Sequence, residues 1–121
     1  MTRQPLTPKI PVRYVIEVSA RMGGVSVGEI LNRHGGSRIG KARNVAIAVA
    51  CELRPDLAFE TIGRCFRGRG RKSIANAWEH MRKEIAADEE LAAFVASVRL
   101  EACTWTPPET VPVLVEVRRG A

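Results

Sequence analysis

The chain has 121 residues, 45% hydrophobic and 26% charged, with a net charge of +6 and a pI near 9.9. That length suits one domain with a modest core, and no run of 18 apolar residues exists to span a bilayer. Pro5, Pro8 and Pro11 interrupt the start where an export signal needs an apolar run, so a cytoplasmic protein is expected. Cys51, Cys65 and Cys103 are odd in number and form no C-x-x-C pair, which reads as reduced thiols rather than a disulfide framework or a zinc site. No metal site is expected from His34 and His80.

The predicted elements are helices almost throughout. Residues 1–11 read as a Pro-rich arm. From Val12 to Arg21, Val12, Val15, Ile16 and Ser19 or Ala20 share one face. Ser26 with Glu29 three residues later has capping-box spacing before Ile30 and Leu31, and Gly35 with Gly36 is expected to end that helix. The clearest helix is "IGKARNVAIAVACEL", where Ala42, Val45, Ala46, Val49, Ala50 and Leu53 recur at helical spacing until Pro55 stops it. Asp56 reads as an N-cap for a short helix in "LAFETIGRCF", with Phe59, Ile62 and Phe66 inward. A longer helix from about Arg71 to Ala86 carries Ile74, Ala77 or Trp78, Met81 and Ile85 as its stripe. Asp88 is expected to cap a last helix with Leu91, Phe94 or Val95, and Val98 inward. Residues 12–102 thus predict a five- or six-helix, all-α domain. Residues 103–121, with three prolines and then "VLVEV", read as an irregular tail or a single strand that could pair with a partner's sheet edge.

Charge is not spread evenly over this plan. Residues 1–72 hold fourteen Lys and Arg against five acids, whereas residues 73–121 hold five against eight. The cations peak at Arg33, Arg38, Lys41 and Arg43, and again at Arg64, Arg67, Arg69, Arg71 and Lys72. The second group falls between the short helix and the longer one, around Gly68 and Gly70. A short helix, a glycine-containing turn and a longer helix make a helix-turn-helix pattern. Its basic residues lie at the N-terminal end of the second helix, where a helix entering the major groove meets phosphates and base edges. Free N–H groups and the helix dipole favour the same anion there. Neutralising phosphates releases condensed counterions, so double-stranded DNA is the partner this field suits.

At these residues the chain resembles a known family. "KARNVAIAVACEL", "TIGRCF" and "RGRGRKSIANAWEHMRKEI" resemble the C-terminal DNA-binding domain of the bacterial chromosomal replication initiator DnaA, over about residues 16–100. Lys41, Ala42 and Arg43 match the family's basic residue, Pro and Arg. Glu52 and Leu53 match the end of its Ala-rich helix, and Ile62, Gly63 and Phe66 its Ile-Gly-x-x-Phe. The family's loop Gly-Gly-Arg-Asp-His-Thr-Thr-Val aligns with "RGRGRKSI". The resemblance implies an all-helical domain that reads a short DNA box, with Lys41 in the minor groove, Arg69 on phosphate and the Ser73 hydroxyl replacing a Thr phosphate contact.

The base-reading Asp-His-Thr of the family is Gly70, Arg71 and Lys72 here. Gly70 has no side chain to accept from a base, Arg71 can hold guanine or phosphate, and Lys72 lacks the methyl that Thr presents to thymine. A lysine that the family carries before Glu-Leu is Cys51, and a Pro near the DNA backbone is Glu60. DNA binding with altered or relaxed sequence preference is therefore expected. The expected DNA-binding residues are Arg38, Lys41, Arg43, Arg67, Arg69, Arg71, Lys72, Ser73 and Asn76, in a nucleoid-associated regulator of replication or transcription.

No G-x-x-x-x-G-K-[ST] loop is present, so neither a nucleotide nor any other cofactor is expected. No nucleophile–base pair or carboxylate pair at catalytic spacing suggests an enzyme. The competing expectation is an adaptor that keeps the fold but binds a replication initiator or regulatory protein, through the acidic last helix or the tail. Trp78 and Trp105 bear on that choice, since an exposed Trp favours a protein interface.

Overall fold

The computed structural model of the chain describes residues 9–32 and 34–107. Among them are six helices and no strand: α1 (Val12–Gly23), α2 (Val27–Leu31), α3 (Ser37–Leu53), α4 (Phe59–Cys65), α5 (Arg71–Ala87) and α6 (Glu89–Ala102). None is long and apolar enough to cross a membrane. Arg33, the outer N-terminal arm and the tail reading of "VLVEV" lie outside the described residues.

Helix ends follow local chemistry. Gly24 takes φ 72°, and the Val25 N–H turns back to the Ala20 carbonyl at 3.0 Å, which ends α1 in the left-handed manner that glycine permits. The Ser26–Glu29 capping box is formed in both directions. The Glu29 N–H donates to Ser26 Oγ at 3.0 Å, and the Ser26 N–H donates to Glu29 Oε1 at 2.9 Å. Asp88 caps α6 by accepting from the N–H groups of Glu90 and Leu91.

Two expected ends are different. α2 stops at Leu31, before Gly35 and Gly36, and α3 begins already at Ser37. Asp56 is not the N-cap of α4, because that position belongs to Ala58. Its carboxylate instead accepts from Arg54 Nε and Nη2, both at 2.9 Å. A bidentate guanidinium partner two residues away outcompetes weaker main-chain donors.

α3 is the axis of the domain. Every side chain from Val45 to Cys51 is buried, so the helix has no solvent face along these two turns. Such a helix must be surrounded, and α3 touches each of the other five. Its Ala and Val side chains keep the neighbours close. The Gly23 α-carbon, where a β-carbon would lie 3.2 Å from Ala42, marks one such approach. At the other end Arg54 Nη1 donates to the Ile10 carbonyl at 2.9 Å. These two contacts set α1 antiparallel to α3. Arg99 Nε reaches Glu52 Oε1 at 3.2 Å, and Phe94 neighbours Gly23, so α6 runs parallel to α3.

The core also takes Ile30 from α2, Ile62 from α4, Ile74 and Met81 from α5, and Leu91, Val95 and Val98 from α6. Phe66, just after α4, is fully buried; burial of a side chain this size stabilises by about 1.5–3 kcal/mol relative to exposure. It anchors the start of the turn that leads into α5.

Candidate nucleic-acid interface

The α4–α5 turn is held by one glycine. Arg69 donates its N–H to the Gly63 carbonyl at 3.0 Å, and Phe66 donates to the same oxygen at 2.9 Å. A β-carbon on Gly63 would lie 2.0 Å from the Arg69 carbonyl oxygen and 3.4 Å from Ile74. Only a residue without a side chain lets the turn fold back this far onto α4. The turn itself passes through two consecutive left-handed residues, Arg67 at φ 65° and Gly68 at φ 77°. Glycine takes this conformation freely, whereas for arginine it costs about 1–2 kcal/mol.

Beyond the turn, Gly70 is the N-cap of α5 and supplies no side-chain cap. The first N–H groups of the helix therefore open toward the exposed side chains of Arg71, Lys72 and Ser73. Arg67 and Asn76 are exposed as well. Among the described residues, Arg67, Arg71 and Lys72 have no acid within salt-bridge distance. Arg64, the first cation of the sequence cluster, differs: its Nη2 lies 3.7 Å from Glu60 Oε2 one turn earlier on α4. An exposed pair of this kind contributes little.

Arg69 and Arg43 have inward duties. Arg69 is half-buried, and its Nη2 donates to the Asn32 carbonyl at 3.2 Å. Arg43 was expected on DNA, yet its guanidinium is turned to the end of α2. Nε donates to the Ile30 carbonyl at 2.7 Å, while Nη2 reaches the carbonyls of Asn32 at 2.7 Å, Glu29 at 3.1 Å and His34 at 3.2 Å. Carbonyls at a helix C-terminal end point outward as acceptors, and a cation there also suits the dipole. Partial burial first, and then the nearby Arg69 charge, lowers the Arg43 pKa from its ordinary value; an arginine stays charged regardless. Arg43 is thus a clasp between α2 and α3.

Arg38 and Lys41 are exposed near the start of α3. They line a hollow with Met22, Phe94 and Ala42, and Lys41 also faces a cleft with His80, Glu84 and Asp88. α3 and α5 run antiparallel, with Arg71 and Trp78 beside Cys51 at the far end of α3. At 1.5 Å per residue, the ten residues from Lys41 to Cys51 separate the two basic groups by about 15 Å. The structure therefore brings together Arg67, Arg71, Lys72, Ser73 and Asn76, leaves Arg38 and Lys41 as a second group, and takes Arg43 out.

The tryptophans are neither core nor free anchors. Trp78 is half-buried beneath the Arg82 guanidinium, which lies 6.0 Å from the ring centre. Trp105 is half-buried after α6, its N–H donating to the Ala102 carbonyl at 3.1 Å. The residues missed from sequence are Asn32 and His34, whose carbonyls take the arginines. No periodicity announces such contacts, because they are main-chain atoms at a helix end. No protein-family model matches the chain, and no curated protein does.

Proposed function

We propose that this protein binds double-stranded DNA through the α4–turn–α5 unit, as a regulator of replication or transcription resembling the DnaA C-terminal domain. What carries the reading is the uncapped N-terminal end of α5, bearing exposed Arg67, Arg71 and Lys72 without acidic partners among the described residues. An anion meets there both exposed cations and oriented N–H groups. The end of a helix about 10–12 Å wide fits the major groove.

In this reading Arg67 and Lys72 hold phosphates, and Ser73 adds a hydroxyl donor. Arg71 takes either a guanine edge or a phosphate, and Asn76 on the next turn is suited to adenine. Gly70 offers no base contact. The interface is thus rich in charge and poor in base readers, so affinity outweighs sequence discrimination and nucleoid association follows. Lys41 and Arg38, about 15 Å along α3, supply a second backbone contact on the same duplex.

The test is an electrophoretic titration over rising salt with a short duplex, repeated with Arg71→Ala and Lys72→Ala. Each lost phosphate contact is expected to lower the slope of log affinity against log salt by about 1. Excess random duplex should compete nearly as well as the initiator family's box. Selective binding that survives such competition would refute relaxed preference, and no binding near 50 mM salt would refute DNA binding altogether.

A further inference from the structure

A groove of about 550 Å³ lies beside the proposed DNA-binding end of α5. Cys51, Pro55, Leu57, Phe59 and Trp78 line it together with Arg71. Leu57, Phe59 and Trp78 are each only half-buried. An apolar groove with one cation in its lining suits an apolar segment that carries a carboxylate.

We propose that residues 111–117 of this same chain, Val-Pro-Val-Leu-Val-Glu-Val, dock in that groove with Glu116 against Arg71. The segment would then compete with DNA for the N-terminal end of α5. The competition rests on the DNA-binding reading above, whereas the docking does not.

Three observations point to this occupant. The segment has Val111, Val113, Leu114, Val115 and Val117 within seven positions, with Glu116 as its one charge. Covering such side chains is favourable by about 25 cal/mol per Å² of apolar surface, and the groove offers apolar walls of matching kind. The starting point is also right. Arg99 near the end of α6 bonds Glu52, the residue after Cys51, so the chain leaves α6 at the groove's end of α3. From Pro107, the seven further residues to Leu114 reach up to about 24 Å. Third, charge complements charge: Arg71 has no acidic partner among the described residues, and Glu116 supplies one.

The experiment uses the full chain with benzoylphenylalanine in place of Leu114, irradiated at low micromolar concentration and mapped by mass spectrometry. Intramolecular crosslinks to residues 55–59 or to Trp78 are expected. Crosslinks confined to other parts of the domain, or formed only between two chains, overturn the docking. Alongside, full-length Leu114→Asp and Glu116→Arg chains are titrated with duplex DNA. A segment docked about 80% of the time leaves about one-fifth of the molecules competent, so its release tightens apparent affinity about fivefold. Unchanged affinity in both variants, with the wild-type crosslink present, overturns the competition. If no chain binds DNA, the DNA-binding reading fails and the crosslink alone still decides the docking.

Discussion

Replacing Gly63 by alanine tests the geometry on which the proposed interface depends. The new β-carbon would sit 2.0 Å from the Arg69 carbonyl oxygen. A carbon–oxygen contact below 3.0 Å is not tolerated, so the turn must retreat from α4 by more than about 1 Å. It cannot do so freely, because the Arg69 N–H is bonded to the Gly63 carbonyl and Phe66 is fully buried immediately upstream. Overpacking of this kind costs about 1–3 kcal/mol, and loss of the Arg69–Gly63 hydrogen bond adds about 1 kcal/mol. Alanine's better helix propensity returns about 1 kcal/mol. The net loss is about 1–3 kcal/mol, which for a folded unit of about 90 residues lowers Tm by roughly 5–20 °C. Thermal unfolding followed by circular dichroism measures it directly. A Tm equal to or above that of the wild type would show that the turn does not pack on Gly63 as described, and with it the placement of Arg67, Arg71 and Lys72 would fall.

Arg67→Gly relieves a left-handed arginine while removing a cation. It should raise stability by up to about 1 kcal/mol and, in the same protein, weaken DNA binding; a change of equal sign in both would contradict the assignment. Arg43→Lys keeps the charge but loses the guanidinium fork that spans four carbonyls, so an unfolding titration should show a loss of about 1–3 kcal/mol with no change in the salt slope of DNA binding. Asp56→Asn removes the Arg54 clasp. The hydrogen bonds from Arg54 hold the Asp56 carboxyl well below the usual carboxylate range, so its stabilisation is complete above the unfolded value, about pH 4, and is lost as pH falls through the depressed folded value. The Tm difference between wild type and Asp56→Asn should be constant above about pH 4 and shrink below it; a difference that grows on acidification would refute the clasp. Burial pushes the Cys51 thiol up to about 11, while Cys65 and Cys103 are exposed, so a thiol reagent at neutral pH should label two cysteines quickly and the third only on unfolding.

What the sequence alone determined is local. Helix positions follow from apolar spacing, and the starts of α2 and α6 from Ser26, Glu29 and Asp88, because a cap is decided by atoms two or three residues away. The Arg71 start of α5 is equally legible, as the glycine and charge pattern changes there abruptly. The exposed Arg67, Arg71 and Lys72 could be expected too, because charged side chains crowded around a glycine-containing turn stay in water.

Tertiary structure alone decided the fate of the other arginines. Arg43 and Arg69 carry the same side chain as Arg71, yet their guanidiniums turn toward carbonyls at the end of α2, 11 and 37 residues away in the case of Asn32. A long side chain on a helix can face solvent or a neighbouring element, and only the packing of α2 on α3 presents it with main-chain acceptors. The burial of α3 on every side is of the same kind. Its sequence shows one apolar stripe, but Ile47, Ala48 and Cys51 are covered because five other helices surround it. Local periodicity fixes which residues can be inside; the number of neighbours fixes which of them are.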